Sequence, residues 1–177
     1  WYQKSVFYNH YNSSSVIKDP VSGFSIDITY NLSNKILLYS QIAKLNGKID
    51  TSLIDPLISL DNNELGLGIV PIGLQAKLGK INLLAEYRLN SRHFVFSYWD
   101  RTYDVNRVAL DGLGNLITKE SNLYRYGDLS GFYIRSYMNI INLFDLGFGY
   151  QNLFGEIWDV DSRDYNSNKS NQTFFST

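Results

Sequence analysis

Cysteine is absent from the 177 residues. That excludes a disulfide framework, thiolate metal sites and a thiol nucleophile, though it fixes no compartment. Histidine is nearly as scarce, since His10 and His93 are the two present, and neither belongs to a metal-ligand spacing. No run approaches the ~18–20 apolar residues that a membrane-spanning helix needs. Charge of one sign is missing too: 16 Lys and Arg offset 17 Asp and Glu, for a net −1. Without a basic patch or stripe, a nucleic-acid partner is not expected. The serines include no G-x-S-x-G elbow after a strand, and the glycines at 147–149 precede no helix that could cradle a phosphate. These absences predict a protein that is not an enzyme, has no catalytic residues and uses no cofactor. No signal peptide is visible and the first residue is Trp1 rather than Met, which reads as a processed chain or a segment of a longer one.

What the chain does contain is aromatic side chains and alternation. Aromatics make up 15% of it, with 14 Tyr, 10 Phe and 3 Trp. Tyr and Trp favour positions where one end of the ring is apolar and the other wet. The clearest alternation lies at 64–89. Folded at Gly79-Lys80, a Gly-X loop suited to a tight hairpin, the stretch pairs with itself. Leu78 then meets Ile81, Ala76 meets Leu83, Leu74 meets Ala85, Ile72 meets Tyr87 and Val70 meets Leu89. The opposite face carries Lys77, Gln75, Glu86 and Arg88. A slip of one residue would exchange the faces, so the register is strongly specified.

Two further hairpins read the same way. Phe24, Ile26, Ile28 and Tyr30 alternate with Ser25, Asp27 and Thr29; a loop at 32–34 would set Ile28 opposite Leu38 and Phe24 opposite Ile42. Between 131 and 152, a loop at 141–143 pairs Met138 with Leu146, Ser136 with Phe148 and Ile134 with Tyr150. Its other face sets Tyr137 against Gly147 and Arg135 against Gly149, large groups over glycines that cannot pack themselves. Residues 45–63 and 155–171 read as long polar loops. HFVFSYWDRTYDVNRVAL (93–110) reads as one long strand leaving an apolar zone, with a turn at 111–115 and a return over 116–126. The total is about nine to eleven strands in a single all-β domain covering 1–177, or a segment of one.

The apolar runs match the ~9–11 residues of a tilted transmembrane strand. Tight turns at 32–34, 79–80 and 141–143 contrast with the long loops, as on the two rims of an outer-membrane barrel. Tyr30, Tyr87, Tyr98, Trp99 and Tyr150 stand near strand ends, where interfacial girdles form. The segments GFSIDITYNLSNKILLYSQI, LQAKLGKINLLAEYRL and GFYIRSYMNIINLFDLGFGYQNLFG resemble bacterial outer-membrane β-barrels of the porin-like kind. The likeness is one of texture, and FFST is not the usual aromatic ending of such barrels. It implies an antiparallel up-and-down transmembrane β-barrel, alone or as part of a larger one. Membrane lipids would be its partners, with other outer-membrane subunits or copies of itself. Its function would be that of a channel for small solutes or the barrel of an outer-membrane assembly. A soluble or surface-attached β protein with a binding role, or a lipocalin-like carrier of an apolar ligand, would show the same alternation.

In a barrel the polar-face charges Asp27, Lys77, Glu86, Arg88, Arg135 and Asp145 point into the lumen, where they steer solutes or brace the interior. Asp159, Asp161 and Asp164 supply oxygens that a Ca²⁺ ion would accept, without the twelve-residue EF-hand pattern. A solvated loop is the simpler reading of those three.

Overall fold

The fold is taken from a computed structural model, which describes residues 2–3, 6–8, 16–18, 21–49, 57–100, 103, 108–110, 116–140 and 144–176. Twelve strands occur in chain order: β1 (Tyr2–Gln3), β2 (Val6–Tyr8), β3 (Val16–Lys18), β4 (Val21–Ser33), β5 (Ile36–Asn46), β6 (Leu67–Leu78), β7 (Ile81–Asn90), β8 (Val108–Leu110), β9 (Leu116–Thr118), β10 (Tyr126–Ile140), β11 (Phe144–Asp159) and β12 (Asp164–Ser176). Seven of these have ten or more residues. Together with the two-residue β1 they form one antiparallel sheet in the order β1-β4-β5-β6-β7-β10-β11-β12. The other four strands make two small hairpins, β2 with β3 and β8 with β9. Among the described residues no pairing joins β12 back to β4, so the sheet is open.

Alternation located the long hairpins well, because a pleated strand presents successive side chains to opposite faces. From Ile72↔Tyr87 to Leu78↔Ile81 the β6–β7 register is as expected, and Gly79 takes φ +64 at the turn. Val70 does not meet Leu89. A bulge between Ile69 and Ile72, at Pro71, which has no N–H to give the ladder, brings Ile69 opposite Leu89. Val70 is thereby fully buried. The β10–β11 pairs Met138↔Leu146, Ser136↔Phe148, Ile134↔Tyr150, Tyr137↔Gly147 and Arg135↔Gly149 are all present; the loop 141–143 itself lies outside the described residues. Between β4 and β5 the register differs by two. The turn falls at Asn34-Lys35, so Ile28 faces Ser40, Tyr30 faces Leu38 and Phe24 faces Lys44. An even shift leaves every side chain on its expected face, which is why alternation alone could not detect it.

Two larger expectations fail. Residues 93–100 are turns and bends rather than a strand; among the described residues of 93–110 only Val108–Leu110 pairs, with β9, and a 3₁₀ turn at Ser121–Arg125 replaces most of the return strand. His93 and Ser97 adopt positive φ (62° and 58°), which breaks an extended path. The aromatic residues that raised β propensity here are used for packing instead. The expected loop 155–171 is the opposite case. β11 and β12 continue through it with Ile157↔Asn166, Trp158↔Tyr165 and Asp159↔Asp164 paired, leaving a four-residue turn at 160–163. Polar composition there reflects strands that leave the apolar zone, not a loop. The turn 111–115 and the Asp55-Pro56 stretch of the 45–63 excursion lie outside the described residues.

The chain thus alternates between two rims. The tight turns at 34–35 and 79–80 share one rim with the paired ends Ile140 and Phe144 of β10 and β11. The other rim carries 47–49, 57–66, 91–100, 119–125 and the 160–163 turn. The buried core sits at this long rim, where Val21, Leu45, Ile49, Leu65, Phe94, Tyr98, Tyr103, Leu123 and Tyr124 cluster. Along the strands one face is largely uncovered and apolar: Ile28 is 71% exposed, Ile26 62%, Ile72 and Phe132 58% and Phe148 53%. The other face, covered toward the long rim by 91–125, is called the inner face below.

Gly73 lies on that inner face directly beneath the Tyr39 ring, which an added Cβ would approach to 2.3 Å. Gly73→Ala should therefore lower stability by about 1–3 kcal/mol. Equilibrium denaturation should show that cost largely disappear when Tyr39→Ser empties the space above it.

Candidate functional site: the inner face and its inserted loop

Strand pairing places one row of residues straight across the inner face. Tyr39 lies beside Gly73, Gly73 beside Glu86, Glu86 beside Tyr133 and Tyr133 beside Gln151. The Tyr39 hydroxyl reaches over the glycine and donates to Glu86 Oε1. Glu86 Oε2 accepts from Arg88 Nε at 2.5 Å, two residues along the same strand. The Arg88 guanidinium stacks over the Tyr133 ring at 3.5 Å and the Phe96 ring at 4.6 Å, and its Nη1 reaches Gln151 at 3.4 Å. Glu86 is 9% exposed. A carboxylate so buried requires its charge to be matched, and the guanidinium and phenol do that together.

Above this row lies the inserted loop. Phe94 covers Gly68, whose absent side chain leaves room for the ring, and Trp99 likewise covers Gly23. Between loop and sheet remains a cavity of about 700 Å³, with Glu86, Arg88, Tyr133, Arg135, Phe96 and Trp99 in its wall. Its lining is mixed: paired charges, rings and Gln41 rather than an apolar pocket. A lipocalin-like carrier needs the reverse, with the apolar face inward.

The loop is fastened at its start by Arg92 and His93. Arg92 makes a two-pronged contact with Glu156, Nε to Oε2 and Nη2 to Oε1, both at 2.6 Å. Its backbone N–H donates to Asp128 Oδ1 at 2.7 Å, and its guanidinium lies 4.2 Å from the Tyr165 ring centre. Hydrogen bonding to Glu156 raises the Arg92 pKa further above its ordinary value. His93 is 2% exposed and uses all four polar atoms. Its N–H donates to Tyr126 O at 2.8 Å and its C=O accepts from Gly66 N at 3.2 Å. Ring Nδ1 meets the Glu64 carbonyl at 2.9 Å, so it carries the hydrogen, and Nε2 faces the Tyr165 hydroxyl at 3.0 Å. That hydroxyl also lies 2.5 Å from Tyr124 O, so its single hydrogen is shared between two acceptors, Nε2 and that carbonyl. Burial, aided by the Arg92 cation, pushes the His93 pKa below its usual value despite the opposing carbonyl contact.

Of the six expected inner-face charges, Glu86 and Arg88 come together in the buried pair. Arg135 stands between the cavity and a shallower depression near the tight-turn rim, which it lines with Lys77, Lys35 and Tyr137. Lys77, Arg135 and Asp27 have no ion-pair partner among the described residues, and all three are exposed. Asp145, also exposed, accepts from Asn139 Nδ2 at 2.6 Å. Of the three acidic residues considered for Ca²⁺, the Asp159 and Asp164 carboxylates are engaged locally. Asp159 Oδ1 accepts the Asp161 N–H at 2.9 Å to close the turn, its Oδ2 accepts from Asn166 at 2.5 Å, and Asp164 accepts its neighbour Tyr165's N–H. Among the described residues no group of three His, Cys, Asp or Glu side chains converges.

Sequence reasoning missed Tyr39, Tyr133, Gln151, Arg92, His93 and Glu156. The first three were readable in principle as polar-face neighbours of Glu86. The last three converge from loop and strand, and no local pattern announces them.

Two outcomes follow. Arg88→Met strands the buried Glu86 charge and should cost about 3–5 kcal/mol, whereas Arg88→Met with Glu86→Leu together should cost far less; denaturation midpoints measure both. His93, held neutral in the fold, binds its proton more readily when unfolded. Stability is therefore complete above the ordinary pKa of 6.5 and declines as pH falls through it toward the lower folded value. Amide exchange in 91–100, after correction for intrinsic rates, should accelerate over that window, and His93→Gln should flatten the dependence. No known protein family, curated protein or solved structure matches this chain, so its function must be argued from this geometry.

Proposed function

We propose that the chain forms the wall of a transmembrane β-barrel in a bacterial outer membrane and serves as a passive channel for small solutes. One observation carries this reading: seven long antiparallel strands expose an apolar face that no part of the described chain covers, while Asp27, Lys77, Glu86, Arg88, Arg135 and Asp145 lie on the opposite, inner face. In water such a face would be a strong aggregation surface. In a bilayer it is the surface required, with polar groups turned to a lumen. Strand lengths of ten to sixteen residues suffice to span a bilayer. The division into a tight-turn rim and a long-loop rim fits the same orientation.

The inserted loop would narrow the lumen, leaving small solutes as what passes. Selection would rest on width and on charges that stay exposed, Arg135 and Lys77 among them, because Glu86 and Arg88 neutralise each other. A barrel serving a larger outer-membrane assembly is the nearest alternative, with the 47–66 and 91–125 loops as contacts. Extraction of the full-length protein from bacterial membranes tests the location: it should require detergent, and protein that stays dissolved without detergent would sink the reading. Leu74→Arg and Leu83→Arg, on the lipid side, should each cost about 2–4 kcal/mol and block assembly. Lys77→Ala should assemble normally and change only conductance or ion selectivity in planar bilayers.

A further inference from the structure

The open sheet has two free edges, and strand direction restricts what closes it. β4, β6, β10 and β12 run from the long rim to the tight-turn rim, and β5, β7 and β11 run back. The outermost long strands, β4 and β12, therefore point the same way. Bringing them together directly would create a parallel pair in an otherwise antiparallel sheet. A second copy inserted in the same membrane orientation offers its own β12 or β4 in that same direction, so copies joined edge to edge meet the same obstacle. Antiparallel closure needs an odd number of further strands.

Two residues running in the direction that such closure needs are already seated on β4. β1 lies on the far edge of β4, antiparallel, with Tyr2 opposite Ser22 and Gln3 opposite Val21. Partner numbers in this ladder add to 24, so chain leading into β1 in the same register would run along the exposed edge of β4 from the tight-turn rim. The first residue before Trp1 would oppose Phe24, the third Ile26, the fifth Ile28 and the seventh Tyr30. These partners all belong to the exposed apolar face. Beyond β1, that edge is unpaired among the described residues, on a long strand with bulky apolar side chains, which is the feature that recruits another strand. The connection from β1 to β4 then lies at the long rim and carries the β2–β3 hairpin, as the β7–β10 connection there carries β8–β9.

We propose that the stretch of chain immediately preceding Trp1 is a full-length strand that continues β1, pairs antiparallel with β4 in this register and, on its other side, with β12. The barrel then has eight long strands with apolar residues at the first, third, fifth and seventh positions before Trp1. This inference rests on the membrane-barrel reading above. It narrows that reading to a strand count, a direction and a register.

The test uses the full-length protein extracted in detergent. One cysteine replaces Ile26 and another the third residue before Trp1, a directly opposed pair at a separation that a disulfide bridges. Oxidation should yield an intramolecular disulfide, seen as a monomeric mobility shift reversed by reductant. Ile26→Cys combined with cysteine at the fourth residue before Trp1, which points to the other face, should not cross-link. In the unsubstituted protein, alternate amides of β4 that face away from β5 should be strongly protected from exchange. Cross-linking between two molecules would overturn the proposal in favour of a second copy. Fast exchange of those amides, or a different register, in protein that still requires detergent would overturn it while leaving the membrane location intact. Protein that is soluble without detergent would overturn both.

Discussion

Every residue of an extended strand turns its side chain opposite to its neighbours', and in this chain that constraint acts on seven long strands at once. The result is a sheet whose two faces have different chemistry over their whole width. The chain covers the inner face toward the long rim with its own loop and leaves the outer face bare. A β-sandwich solves the same problem by placing a second sheet over the apolar side, and its core then lies between layers. Here the core lies at one end of the sheet, among loop and strand-end residues such as Leu65, Phe94 and Leu123. The mid-strand apolar side chains stay outside that core and exposed.

The inner face is organised by compensation between neighbouring strands. Gly73 provides no side chain, so Tyr39 from one side lies across it to reach Glu86 on the other. Glu86 in turn fixes Arg88, and Arg88 bridges to Tyr133 and to Phe96 of the loop. Sheet and loop therefore share one guanidinium. A second arginine, Arg92, ties the start of the loop to β11 through its guanidinium on Glu156 and to β10 through its backbone N–H on Asp128. Both arginines use their planar, multi-donor geometry, which a lysine at either position lacks. The loop is thus held at two points along its first part, and the cavity beside it has a defined wall rather than a floating cover.

Charge is distributed unevenly along the inner face. Toward the long rim it is paired and half or fully buried. Toward the tight-turn rim Lys35, Lys77 and Arg135 border an open depression and remain available to solutes. Neutralised charge and unneutralised charge thus occupy separate parts of one continuous surface. The two need not change together when residues are substituted.

Period-two alternation by itself determined the all-β class, most of the β6–β7 and the β10–β11 register and the shared face of Asp27, Lys77, Glu86, Arg88, Arg135 and Asp145, because the pleat couples sequence parity to direction. It also supplied the pairing of Tyr137 and Arg135 with strand glycines. It could not see the two-residue difference between β4 and β5, since an even shift preserves parity, nor the bulge that turned Val70 inward. Composition misled at 93–100 and 155–171 for one reason: aromatic richness and polarity describe an environment, and the same residues suit a strand or a packed loop in it. Only the tertiary structure decided that Phe94 and Tyr98 leave the sheet to fill its long rim. The same holds for the convergence of Arg92, His93, Asp128, Glu156 and Tyr165, which come from loop and strands up to 73 positions apart, from Arg92 to Tyr165. Contacts across that distance depend on which strands become neighbours, and no local pattern carries that information.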